Sequence, residues 1–296
     1  ENRWFAYLIP PFLITLVWVA GSQYVFIENS FYEDLGLGRT GNEFTLVNYF
    51  NFFTDPFYMQ TFWVTIKVSA LATFFTLFLG FPIAYVIARM KSRIAMLLLA
   101  GIVVSTFVTI VIKVFGLIII FSANGILNTT LLELGLIDRA YSIIGTQEGV
   151  VVGLMHFTIG FSVLLLYSVV ITVPPSLEYA AQIHGASRWR VYQRVIIPLC
   201  VPGFVVGGLM IFNMCMGAFT SAALLGGGRV LTLPVLIQRT VMMEVRYSTA
   251  ASIAFVLLIS VILINLISLM AIRRFRSARL AVSYTHLRAH ETRLNL

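Results

Sequence analysis

The chain has 296 residues, 59% of them hydrophobic and 11% charged, with mean hydropathy +0.93 and a net charge of +8. Soluble domains carry about 25% charged residues, so a water-soluble globular domain is excluded. The positive charge does not indicate nucleic acid either, because it is gathered into particular loops.

Six apolar runs are long enough to cross a bilayer, which takes about 20 helical residues: Leu8–Ile27, Phe62–Ala88, Ile94–Phe121, Gly149–Val173, Val201–Leu225 and Thr249–Ile272. Helices are the expected spanning form, since each closes its own backbone hydrogen bonds in lipid. The first loop, Glu28–Thr61, is polar and aromatic and reads as irregular or as carrying a short helix. The connection Ala88–Ile94 is so short that its flanking spans should be antiparallel neighbours. In Ser122–Glu148 the Asn124-Gly125 turn precedes Leu127–Leu136, an apolar stretch too short to span, which fits a re-entrant or interfacial helix. Gly226-Gly227-Gly228 permits unusual backbone angles.

The segments on the N-terminal side hold Arg3, Arg89, Lys91, Arg93, Arg188, Arg190, Arg194, Arg273, Arg274, Arg276 and Arg279 against two acids, Glu1 and Glu178. The opposite loops hold Arg39, Arg139, Arg229, Arg239 and Arg246 against Glu28, Glu33, Asp34, Glu43, Asp55, Glu133, Asp138, Glu148 and Glu244. By the positive-inside rule both termini are cytoplasmic.

Little in the chain suggests catalysis. Gly36-Leu37-Gly38-Arg39-Thr40-Gly41 has the glycine spacing of a dinucleotide fingerprint but follows no buried strand and opens no helix. No Gly-x-x-x-x-Gly-Lys-[Ser/Thr] loop occurs, so ATP, if used, is bound by another chain. Cys200 and Cys215 read as small packing residues, and no metal-ligand spacing or hydrolytic constellation is evident. Lys113 lies well inside an apolar run, where an ionisable group is either functional or snorkels and pairs. His156 reads as a packing residue. Asn213, with Thr220 and Ser221, either lines a polar path or bonds across helices.

The segment between the fourth and fifth runs is different. Pro174-Pro175 ends a span and Ser176 can cap the next helix, expected over Glu178–Arg194 until Pro198 and Pro202 break it. Ala181 and Gly185, like Ala180 and His184, are four apart and would place small residues on one face. Arg188, Arg190 and Arg194 add charged anchors. The order Glu178, Ala180-Ala181, His184-Gly185-Ala186, Ile196, Pro198 resembles the EAA loop of ABC importer permeases, although His184 stands where that family usually has an acid and Ile197 where it has Leu. Similar stretches at Thr45–Phe50, Asn124–Asn128 and Gly217–Gly228 resemble the spermidine/putrescine-type permeases.

The resemblance implies an all-α fold of six transmembrane helices of the type I importer permease kind, as a single domain over 1–281 with its coupling loop at 174–200. It implies a multi-pass protein of the bacterial inner membrane. The partners would be a second permease subunit, two cytoplasmic ATPase subunits and a periplasmic solute-binding protein, with no cofactor on this chain and a polyamine or related small solute as cargo. Glu178, Ala180, Ala181, His184, Gly185, Ala186, Ile196 and Pro198 would couple to the ATPase. Lys113 would be structural, since a lysine in the path would repel a polyamine. The rival from another class is an ion-coupled carrier or channel without an ATPase, expected to show intramembrane acids or broken helices. A non-transporting scaffold is a third reading. The chain's start at Glu1 reads as truncated, and residues 282–296 resemble a translated sequencing adapter, so the two histidines there are not taken as metal ligands.

Overall fold

The computed structural model describes residues 3–291, with side chains for Tyr7 and 9–270. After α1 (Arg3–Asn29) come an antiparallel hairpin, β1 (Tyr32–Gly36) and β2 (Arg39–Phe44), then α2 (Val47–Thr54) and the long α3 (Pro56–Arg89). α4 (Arg93–Phe107), α5 (Ile110–Phe121), α6 (Ile126–Glu133) and α7 (Gln147–Ile171) follow. α8 (Pro175–Ile183), α9 (Arg188–Val191) and a π-helical turn at Tyr192–Ile196 lead into α10 (Ile197–Met216). α11 (Thr220–Leu225), α12 (Leu233–Met242) and α13 (Tyr247–Glu291) complete the described chain. Two compact units divide at Phe255/Val256, the second holding the rest of α13. Six helical stretches among the described residues are long and apolar enough to cross a membrane: Ile9–Asn29, Pro56–Arg89, Ile110–Glu133, Gln147–Ile171, Arg188–Met216 and Tyr247–Met270.

α3 and α7 form the central pair. Asp55 caps α3 by accepting from the Phe57 amide at 2.9 Å, with Pro56 at the first helical position, where its missing N–H costs nothing. The Thr146 hydroxyl caps α7 by accepting from the Gly149 amide at 3.2 Å. Midway, the Thr76 and Thr158 hydroxyls meet at 3.1 Å, and a Cβ on Gly80 would stand 2.9 Å from Ser162 Oγ. Absent side chains and shared hydroxyls hold helices together in lipid. Near α8, a core of Phe81, Ala84, Ile87, Val163, Leu166, Val170, Ile196 and Cys200 joins α3, α7 and α10. Towards the hairpin end, Val68, Ala72, Val150, Leu154, Ile211 and Cys215 form a second core, and both cysteines are free thiols.

The structure corrects several expectations. The third run is not one span: it breaks at Val108 and Thr109, which take extended dihedrals, and the spanning stretch starts only at Ile110. β-branched residues crowd this point (Val103, Val104, Thr106, Val108, Thr109, Ile110), and they lose side-chain freedom in helices. The first loop carries the short helix expected there, α2, but also a hairpin that was not expected, and the glycine-rich pattern is its turn, with Gly36, Leu37 and Gly38 at φ of 77°, 51° and 77°. The fifth span ends at Met216, because Gly217 starts a break before α11. α6 is the short apolar helix expected after Asn124-Gly125. For the adapter-like stretch 282–296, the side chains lie outside the described residues.

Asn128 is the polar pin of the α5–α7 connection. Its amide donates to the Ser122 and Tyr141 carbonyls at 2.8 and 2.9 Å and accepts from the Tyr141 amide at 3.0 Å, all in a nearly buried site. Replacing it strands buried backbone groups. Asn128→Ala should therefore destabilise the protein by about 2 kcal/mol, read as a lower unfolding midpoint in detergent.

Candidate functional site

Between α7 and α10 the chain leaves the spanning stretches for residues 172–187. Pro174 occupies the N-cap position of α8 and Pro175 the first turn, so Ser176 is not the cap. One turn further, Glu178 points inward. It is 7% exposed, its Oε1 accepts from Arg89 Nε at 2.5 Å, and its Oε2 accepts from the Tyr85 hydroxyl at 2.8 Å. Arg89 also donates to the Val173 carbonyl at 2.9 Å, tying the end of α3 to both sides of the α7–α8 turn.

The helix expected over Glu178–Arg194 is interrupted. The Ala186 amide donates to the Ala181 carbonyl at 3.1 Å and the Gly185 amide to the Gln182 carbonyl at 2.9 Å, with Gly185 at φ 82°. This paired closure around a left-handed glycine is a Schellman stop. Ser187 caps α9, its hydroxyl accepting from the Arg190 amide at 3.4 Å. Pro198 and Pro202 do not end the helix. The π-helical turn at Tyr192–Ile196 precedes Pro198, and α10 runs on through Pro202. A π turn inserts one extra residue into the ladder, so the register shifts just where Pro198 cannot donate.

A second anchor joins the same face of α3. Tyr192 lies 5.1 Å from Tyr85 and 5.5 Å from Phe81 between ring centroids, and stacks on Trp189 at 5.5 Å. Phe81, Tyr85 and Arg89 are four apart, so one stripe of α3 receives both α8 and the π-helical turn. Away from that stripe, large apolar side chains face outward: Ile183 is 84% exposed, Trp189 65% and Tyr179 55%, with Leu177 also exposed. Arg188, Arg190 and Arg194 are exposed beside them.

The residues singled out from the sequence thus separate. Ala180, His184 and Gly185 are exposed and Ala181 and Ala186 half-buried, so the small residues border the outward face. They do not form one helical face, because His184 and Gly185 already belong to the turn. Glu178 and Ile196 are buried, Ile196 completely, and Pro198 is exposed in the first turn of α10. The outward Leu177, Tyr179, Ile183 and Trp189 were missed. The signal available was large apolar residues in a segment otherwise marked as lying outside lipid.

Residues 77–278 match the family described as "Binding-protein-dependent transport system inner membrane component". The chain belongs to this family of ABC importer permeases. Over 200 residues the permease is 34% identical to the spermidine/putrescine transport system permease protein PotB of Haemophilus influenzae, covering 66% of this chain and 70% of that one. It is 36% identical over 186 residues to PotB of Salmonella typhimurium, covering 63% of this chain and 64% of that one, less than two thirds of the relative's length. Among solved structures, its fold is similar to a bacterial ABC transporter involved in alginate import, at TM-score 0.73 and 19% identity over 90% of this chain and 96% of the other. A methionine ABC transporter in inward-facing conformations is similar at TM-score 0.56 and 18% identity, over 73% and 94%. The permease is a multi-pass inner-membrane protein.

Within its spans, the permease's Lys113 is half-buried in the first turn of α5, Asn213 is half-buried on α10, and His156 is exposed on α7. A second intramembrane cation, Lys67, donates to Gln147 Oε1 at 2.9 Å. Gly185 has open space where a Cβ would stand, so its constraint is backbone strain and not crowding. Gly185→Ala should cost about 1 kcal/mol through the left-handed backbone, with Gly185→Asn milder, in thermal unfolding of the purified permease.

Proposed function

We propose that segment 174–200 is the docking element of this permease for a cytoplasmic ATPase, and that the cargo is a polyamine of the spermidine/putrescine kind. The observation that carries the docking reading is the outward set Leu177, Tyr179 and Ile183 on a short element outside the spans, followed at the start of the next spanning stretch by exposed Trp189 and exposed Arg188, Arg190 and Arg194. Contiguous apolar exposure rimmed by polar groups marks protein interaction sites. Aromatic and arginine side chains are the types that dominate such interfaces. Ala180, Ala181, His184, Gly185 and Ala186 would border the contact. Glu178 and Ile196 would serve from inside, and Pro198 would set the start of α10.

The charge asymmetry along the sequence supports placing this segment in the cytoplasm and the hairpin outside. Partners of this kind are a second permease subunit, two ATPase subunits and a periplasmic binding protein. ATP binding in the partner would draw the docked segments together and bias the permease pair between two global states. The cargo reading rests on the permease relatives named for spermidine and putrescine. The nine acids of the hairpin-side loops are consistent with cation capture. Lys113 and Lys67 would lie off the path, as a cation repels a polyamine.

Proteoliposomes carrying the permease with its ATPase and binding protein should take up labelled putrescine only with internal ATP. Uptake that persists after the ATPase is omitted would overturn the docking reading. ATP-dependent uptake of another solute, with none of putrescine or spermidine, would overturn the cargo and leave the docking standing.

A further inference from the structure

We infer that Arg89 and Tyr85 are positioning residues that carry motion of the docked segment into the membrane, with Glu178 as their handle and not an ATPase contact. This rests on the docking reading and assigns the step after it. Glu178 is buried against its own chain and gives one carboxylate oxygen to Arg89 and the other to Tyr85. A partner docking on the outward face would meet Tyr179 and Ile183, with Glu178 underneath. The pull it applies to α8 would pass through Glu178 to the last two turns of α3.

The connection has features of a mechanical link. It is charge-assisted and shielded, and Arg89 has a second point of attachment at the Val173 carbonyl, so geometry as well as attraction holds it. It is doubled by an independent contact, Tyr192 against Tyr85 and Phe81 on the same stripe. It also enters the core directly. Phe81, Ala84 and Ile87 of α3 pack with Val163, Leu166 and Val170 of α7, with Ile196 of the π-helical turn and with Cys200 of α10. The clamped turns lie beyond Pro82, which removes one hydrogen bond of the α3 ladder, a point where a helix bends most readily, so what holds Tyr85 and Arg89 bears on their direction. Leu177, Tyr179 and Ile183 of the outward patch and the inward Glu178 thus sit on different sides of one nine-residue helix.

The test uses the assembled permease with its ATPase in nanodiscs and two readouts: ATPase retained on the permease, and stimulation of ATP hydrolysis by the loaded binding protein. Arg89→Ala should leave ATPase binding unchanged while stimulation falls at least about fivefold, the lower end of the ~5–150-fold range of allosteric coupling. The exchanged pair Arg89→Glu with Glu178→Arg should recover part of it, and Tyr85→Phe should show a smaller loss. If Arg89→Ala does not accumulate as folded protein, Tyr85→Phe and the uncharged pair Arg89→Gln with Glu178→Gln give the same readouts without a stranded buried charge. Unchanged stimulation in the variants that fold would overturn the inference, as would binding and stimulation falling together. A wild-type permease that retains no ATPase would instead overturn the docking reading.

Discussion

In lipid no hydrophobic effect drives one helix against another, so α3 and α7 meet where a side chain is missing or a hydroxyl can be shared. Gly80 makes room for Ser162, and Thr76 meets Thr158. The same device recurs where α10 joins the pair: Gly203 faces the Val169 side chain and Gly207 faces Leu165, each so closely that a Cβ would clash. Small residues let backbones approach until dispersion over many atoms can hold them. The three helices are therefore fixed relative to one another near α8, and whatever grips α8 acts on a packed triad.

That arrangement explains why one short segment can hold two kinds of residue. A docking surface must offer apolar area to a partner, yet transmit force to its own chain. On the proposed docking reading α8 would separate these duties by side: Tyr179 and Ile183 face out, and Glu178 faces the end of α3. The Schellman stop at Gly185 then turns the chain so that α9 and the π-helical turn bring Tyr192 back to the same stripe. On a straight helix Glu178 and Tyr192 would stand about 21 Å apart along the axis, too far for both to meet Tyr85 as they do here.

Much of this was readable in the sequence and some was not. Length and hydropathy located four of the six spans to within about six residues, because lipid permits few backbone solutions; the fifth was placed too late, since its helix begins in the basic segment at Arg188 and ends at Met216. The third was misplaced because hydropathy does not register the β-branched crowding at Val108–Thr109. The loop 174–200 was legible as a motif, but its internal geometry was not. Arg89 was visible only as a topology charge, since its partner lies 89 residues away. By spacing alone, the glycine after the alanines belongs to one helical face of small residues. In the structure it is the left-handed stop that closes the helix. The outward Ile183 and Trp189 could have been flagged by their type alone, as apolar bulk in a basic segment between the fourth and fifth apolar runs.

The central claim is that the outward face of α8 is where the driving subunit sits. A photo-crosslinking amino acid placed at Ile183, the most exposed large side chain of α8, tests it most directly in membranes containing permease, ATPase and binding protein. Crosslinks from Ile183 should form to the ATPase in high yield and be absent from a matched probe at Phe50, which is exposed on α2 near the hairpin. Crosslinks to lipid alone, or to the binding protein, would contradict the account.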